Sequence, residues 1–246
     1  MAGASAERQE TGVVNAINQA VKANQQNPIN VKAGKVNLEG VISSEKYTGR
    51  QAGGSEPYTD VVIKFHKSMK KDPVNLSLKG EAAPSLAGGG LKGLELAVPG
   101  IAKKFMLAAF KHLKTTMKLT LGAKVPDVYG KINQNDKKKI VVGNKAMGGP
   151  IDYMYIGKMD VSSSYDQKTN TLTFSNGKMI PAETYADEHE LYFRLRARRE
   201  DQRFDPSAKD GNGTPKIYGK SPSKGDSAGR IVVTDKVPNQ AVIVRI

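Results

Sequence analysis

Tyr58-Thr59-Asp60-Val61-Val62-Ile63 and Val74-Asn75-Leu76-Ser77-Leu78-Lys79, with Ser77 seventeen residues on from Asp60, are the two stretches whose pairing decides the fold. Both read as short strands. In a strand successive side chains point to opposite faces, so Val74, Leu76 and Leu78 form one apolar face and Asn75, Ser77 and Lys79 share the other. On the preceding strand Asp60 shares a face with Val62 and Lys64. If the two strands are neighbours, Asp60 and Lys79 meet at one end of a sheet. The connection, His66 to Pro73, carries Lys67, Lys70 and Lys71 and reads as an exposed turn.

Toward the N-terminus, Val13, Val14, Ile17, Ala20 and Val21 recur at helical spacing and predict a helix from about Ala6 to Ala23. Glu10 falls on that stripe. It either faces the core, where a carboxylate needs a partner or a metal, or belongs to a first turn beyond the core, where the helix dipole favours it. Asn24 to Asn30 reads as a polar turn. Val31 to Ile42 holds strand-like pieces broken by Gly34 and Gly40, and Tyr47 to Pro57 is a glycine-rich loop with Arg50 and Gln51.

Beyond Lys79, the run Gly88-Gly89-Gly90 is either a flexible connector or a backbone that approaches a phosphate closely; no Gly-Lys-Ser/Thr ending completes a P-loop. Pro99 suits the first turn of a helix reaching about Thr116, with Ile101, Phe105, Ala109, Leu113 and Met117 on its buried side. Lys104, Lys111 and Lys118 repeat every seven residues along it. From about Pro126 short strand-like runs alternate with turns: Lys139–Val142, Asp152–Ile156, Thr171–Phe174, Arg230–Thr234 and Ala241–Ile246. Asn176-Gly177 reads as a hairpin turn. In Leu191 to Arg198 the apolar residues alternate with Arg194, Arg196 and Arg198, an arginine ladder suited to phosphates or, alternatively, to acids such as Glu190, Glu200 and Asp201. Residues 204–229 are rich in Gly, Pro, Ser and Lys and read as a long loop. The change of texture divides the chain into an α/β core, 1–125, and a β-rich basic region, 126–246.

The 246 residues carry 38 Lys and Arg against 24 Asp and Glu, a net charge of +14, which makes polyanions the first partners to consider. Nucleic acid leads, and an anionic membrane ranks below it. There is no cysteine, so disulfides and thiolate zinc sites are excluded. The three histidines, His66, His112 and His189, stand far apart. No apolar run reaches membrane-spanning length, and the first residues lack the pattern of a signal peptide.

Glu10, Asp60, Ser77 and Lys79 together offer two acids, a hydroxyl and an ammonium. Oxygen ligands of this kind suit Mg2+ or Mn2+ rather than zinc. In this order of helix Glu, strand Asp and x-x-Lys on the next strand, residues 7–116 resemble the PD-(D/E)xK nuclease superfamily. The resemblance implies a mixed β-sheet flanked by helices, restriction-endonuclease-like, in the N-terminal half; with the C-terminal half read as β-rich from its own texture, the expected fold class is α+β. It implies metal-dependent cleavage of DNA, with Asp60 as principal metal ligand, Lys79 orienting or activating water, and Glu10 as the helix acid of some branches. Ser77 stands where the family has Glu or Asp, and a neutral hydroxyl is a far weaker ligand.

The run Pro57-Tyr58-Thr59-Asp60-Val61, followed by Ser77-Leu78-Lys79-Gly80, is also similar to uncharacterised proteins of large tailed phages. That likeness implies a protein acting on DNA in the host cytoplasm or built into the virion. Two functions therefore stand side by side. One is a magnesium-dependent endonuclease with Lys104, Lys111, Lys118, Arg194, Arg196 and Arg198 on the DNA backbone. The other is a non-catalytic nucleic-acid-binding or particle-assembly protein, meeting phage proteins or a second copy of itself.

Overall fold

In a computed structural model of the protein, Val61–Ile63 and Val74–Lys79 lie in adjacent antiparallel strands, and Tyr58–Asp60 lead into the first of them. The structure describes residues 4–49, 57–81, 90–196, 203–209, 213, 215, 217, 220–221, 225–226 and 230–246. In chain order these form α1 (Ala4–Ala23), β1 (Ile29–Ala33), β2 (Val36–Lys46), β3 (Val61–Phe65), β4 (Val74–Gly80), α2 (Gly90–Ala97) and α3 (Ile101–Lys111). There follow β5 (Val128–Lys131), α4 (Gln134–Val142), β6 (Tyr153–Gly157), β7 (Ser163–Asp166), β8 (Thr171–Phe174), β9 (Gly177–Pro181) and α5 (Ala182–Glu188). The last are β10 (Tyr192–Arg196), β11 (Lys220–Ser221), β12 (Gly225–Asp226), β13 (Arg230–Thr234) and β14 (Val242–Val244). The fold is α+β, with mixed sheets flanked by helices.

The chain forms two units, Met1–Pro84 with Lys138–Glu188, and Ser85–Lys137 with His189–Ile246. The boundary expected near residue 125 falls inside the second unit instead. The reason is that β6 pairs parallel with β4, so the first sheet takes its last strands from beyond residue 137. A parallel neighbour needs a long crossover, and the intervening chain supplies part of the second unit.

The first unit holds an eight-stranded sheet, β7-β8-β1-β2-β3-β4-β6-β9, antiparallel except at β8–β1 and β4–β6. Helix α1 covers one face: Val13, Ile17 and Val21 pack in one core with Val31, Val41, Val61, Ile63, Leu76 and Leu78. Each such side chain contributes roughly 1.5–3 kcal/mol by leaving water. Gly40 does not break β2. Its φ of 78° makes a bulge, where the register shifts between Ile29↔Val41 and Val31↔Leu38.

Two strand expectations are corrected. Lys139–Val142 is the end of helix α4, not a strand. Asn133 Oδ1 accepts the Asp136 N–H at 3.0 Å and its amide donates to Asp136 Oδ2 at 2.5 Å. That reciprocal cap starts a helix, and Ile140 and Val141 become its buried side. Asn176-Gly177 is not a hairpin turn either. β8 and β9 are joined there but stand second and last in the sheet order. The sheet curls to allow this, with the Phe174 ring edge-on to Tyr155 at 5.6 Å. Asn176 instead holds the neighbouring loop, accepting from Ser162 N and donating to the Asp160 carbonyl. The hairpin partner of β8 is β7.

The second unit holds the sheet β13-β10-β5-β14, with β5–β14 parallel, and a two-stranded ribbon of β11 and β12. Phe105 of α3 meets Phe193 of β10, ring centroids 5.4 Å apart, and Ile101, Ala109 and Leu113 are buried with it. Helix α3 begins after Pro99, not on it. The Glu95 carboxylate caps it, accepting from the backbone N–H groups of Gly100, Ala102 and Lys103. After Lys111 the helix widens into a single π turn, His112–Thr116, and stops. Met117, expected on the buried side, is therefore 38% exposed.

Candidate active site

Asp60 immediately precedes β3, where the ladder to β4 gives out. Its own N–H donates to the Leu76 carbonyl at 2.8 Å, and its carbonyl accepts from Tyr47 N at 2.9 Å. The segment before it is anchored: the Thr59 hydroxyl donates to the Gly148 carbonyl at 2.6 Å, and Tyr58 N donates to the Met147 carbonyl. The Asp60 carboxylate then replaces the missing backbone partner of β4. Its Oδ2 accepts the Leu78 N–H at 2.6 Å and the Ser77 hydroxyl at 3.2 Å. The same oxygen lies 3.9 Å from Lys79 Nζ. The side chains of Lys79 and Asp60 are only 18% and 23% exposed, so water screens the pair less than at an open surface. Ser77 is 2% exposed, which leaves its hydroxyl enclosed beside Asp60.

The expected meeting of Asp60, Ser77 and Lys79 is thus present. Glu10 reaches the sheet from α1 and ion-pairs with Lys46 at 3.8 Å. Lys46 is in register with Val61, the residue after Asp60. The neighbouring Gln9 is a residue that the sequence reading missed. It is buried, and its Nε2 lies 3.3 Å from the Lys79 carbonyl, 3.1 Å from that of Gly157 and 3.2 Å from that of Lys158. It pins the ends of β4 and β6 to α1. Its position four residues before Val13, on the buried stripe, was the available signal.

Among the described residues, no group of three or more His, Asp or Glu is placed to hold a metal ion. Magnesium commonly takes one or two carboxylates, several waters and substrate phosphates. Asp60 is the carboxylate at this corner that could serve as such a ligand, beside Lys79; Glu10 is engaged by Lys46.

The residues expected to hold phosphates fare differently. Lys104 and Lys111 are exposed on α3. Lys118 is exposed too but lies past the helix end with φ 52°, so the seven-residue repeat does not make one helical stripe of three. Arg194 is not an open anion fork. Its Nε donates to Asp127 Oδ2 at 2.9 Å, its Nη2 bonds the same oxygen, and its guanidinium lies 5.8 Å from the Tyr129 ring centre. The expected acid Glu190 bonds Lys131 and the Tyr192 hydroxyl instead. Both bonds hold the Glu190 carboxyl below its usual range. Arg196 is in register with Arg230 across β10–β13. Arg198, Glu200, Asp201, Arg50, Gly88 and Gly89 lie outside the described residues.

No protein-family model, curated protein or solved structure matches this chain. Among the described residues no helix is long and apolar enough to cross a membrane.

Proposed function

We propose that the chain cleaves phosphodiester bonds of DNA with Mg2+ or Mn2+, at a centre built on Asp60 and Lys79. The observation that supports this reading is the 3.9 Å contact of Asp60 Oδ2 with Lys79 Nζ between neighbouring strands. It fits the resemblance to PD-(D/E)xK nucleases, in which an acid and a lysine share such a corner. Asp60 would hold the metal; Glu10, on the helix that covers the Leu76 and Leu78 face, would have to leave its ion pair with Lys46 to join it as the second acid. A bound magnesium supplies Lewis acidity and lowers the pKa of a bound water. Lys79 orients the attacking water and offsets negative charge that develops on the phosphate. Ser77 donates to Asp60 and fixes the carboxylate's orientation. The likeness to tailed-phage proteins suits action in the host cytoplasm or in a virion.

The test is incubation with plasmid and single-stranded DNA in Mg2+, Mn2+ or EDTA. Nicking or degradation that needs the metal and is lost in Lys79→Met is the expected result. No cleavage under any of these conditions rejects the reading.

A second reading is a non-catalytic nucleic-acid-binding or phage-assembly protein on the same scaffold. What favours it is that Asp60 Oδ2 already accepts from Leu78 N and Ser77 Oγ, with a neutral serine where another acid would complete the site. It predicts salt-dependent DNA binding without cleavage.

A further inference from the structure

Between Glu95 and Asp127 the chain carries no acid and six lysines, Lys103, Lys104, Lys111, Lys114, Lys118 and Lys124. All six are exposed. Among the described residues none of them is in an ion pair. The lysines Lys64, Lys79, Lys131 and Lys138, by contrast, each have a carboxylate within reach. At 3.6 residues per turn Lys103, Lys104, Leu107 and Lys111 fall within an arc of about 100° on α3. The opposite side, with Phe105 and Ala109, is buried. The π turn carries Lys114, whose ammonium lies 5.9 Å from the Phe110 ring centre. Lys118 follows in a left-handed conformation at the helix end.

Six like charges that form no ion pair among the described residues repel one another and raise the local potential. A polyanion relieves that repulsion; a compact anion meets only one or two of the lysines. We infer that the outer face of α3 and its π turn binds nucleic-acid phosphates without regard to base sequence. The arginine strand does not do this through Arg194, which Asp127 and Tyr129 already hold. An anionic membrane fits less well. A surface helix that enters lipid presents an apolar face to it, and here that face is turned into the protein's own core. Leu107, 40% exposed, is the large apolar side chain among the lysines of the helix itself, and the exposed Met117 and Leu121 follow only beyond the π turn. The inference is independent of the hydrolytic reading, because Asp60 and Lys79 belong to the other unit.

The test is a titration of the full chain into a short labelled duplex, in EDTA so that cleavage is silent, between about 50 and about 200 mM salt. Each phosphate contact adds about 0.9 to the slope of log affinity against log salt. The combined variant Lys104→Ala, Lys111→Ala and Lys114→Ala lowers that slope by roughly 3. The corresponding Lys→Arg variant keeps it. Because the three side chains are exposed and repel one another, neither variant melts below the wild type. An unchanged slope in the alanine variant overturns the inference. So does failure of the wild type to bind the duplex at low salt, whether or not it binds phosphatidylserine vesicles.

Discussion

The carboxylate of Asp60 accepts the backbone N–H of Leu78 at 2.6 Å. A side chain thereby completes the β3–β4 ladder where the backbone cannot. Removing it leaves that N–H and the enclosed Ser77 hydroxyl without their acceptor, which costs about 1–3 kcal/mol. Asp60→Ala therefore destabilises by that amount in urea unfolding. Asp60→Asn keeps an amide oxygen in the same place and loses less. If the two variants unfold alike, the ladder-closing role is wrong.

Gln9 joins α1 to the ends of β4 and β6 through the carbonyls of Lys79, Gly157 and Lys158. Gln9→Leu fills similar space but leaves buried carbonyls unpaired, and a loss of about 1–3 kcal/mol is expected. Hydrogen exchange locates the effect: amides at the ends of β4 and β6 exchange faster, while those of β1 and β2 do not. A uniform acceleration contradicts the clamp.

Ser77→Asp tests the site's chemistry. It puts a second carboxylate into an enclosed spot beside Asp60, where two like charges raise one another's pKa. Without metal the variant melts below wild type at neutral pH, and the deficit shrinks as pH falls and the pair takes up a proton. Mn2+ at about 100 times its dissociation constant restores roughly 2.7 kcal/mol, since binding to the folded state alone stabilises it. A melting midpoint indifferent to Mn2+ argues against a metal at this corner.

Tyr155 is 1% exposed, and among the described residues its hydroxyl has no hydrogen-bond partner. Burial first, and the Glu81 carboxylate second, push its phenol up to about 12. Below pH about 10 the proton stays on in the folded and the unfolded chain alike, and the tyrosine costs no stability by titration. Between pH about 10 and about 12 the unfolded chain ionises first, so folding stability falls through that window. Tyr155→Phe should match or slightly exceed wild-type stability at neutral pH and lose less between about pH 10 and about pH 12. Parallel losses in both proteins show that another group sets the alkaline limit.

The sequence alone makes β3, β4 and their shared corner legible, because strict alternation assigns Ser77 and Lys79 to one face and Leu76 and Leu78 to the other. The stripe from Val13 to Val21 does the same for α1. Lys139–Val142 was misread because three apolar residues in a row suit a buried strand as well as a helix end; the Asn133–Asp136 cap decides between them. Arg194 was misread because its acid, Asp127, is remote in sequence and only strand pairing brings them together. Lys118 fell into a seven-residue repeat that a π turn interrupts. Glu10 reads as a metal acid, and nothing local in the sequence points to its ion pair with Lys46.

Single-turnover cleavage of labelled DNA in Mn2+ by wild type and Asp60→Asn, both checked for equal folding, decides whether Asp60 serves the chemistry. The wild type is expected to cleave and the variant to lose at least about a hundredfold, comparable to removing a principal electrostatic contributor to catalysis. Equal rates from the two proteins would contradict that role.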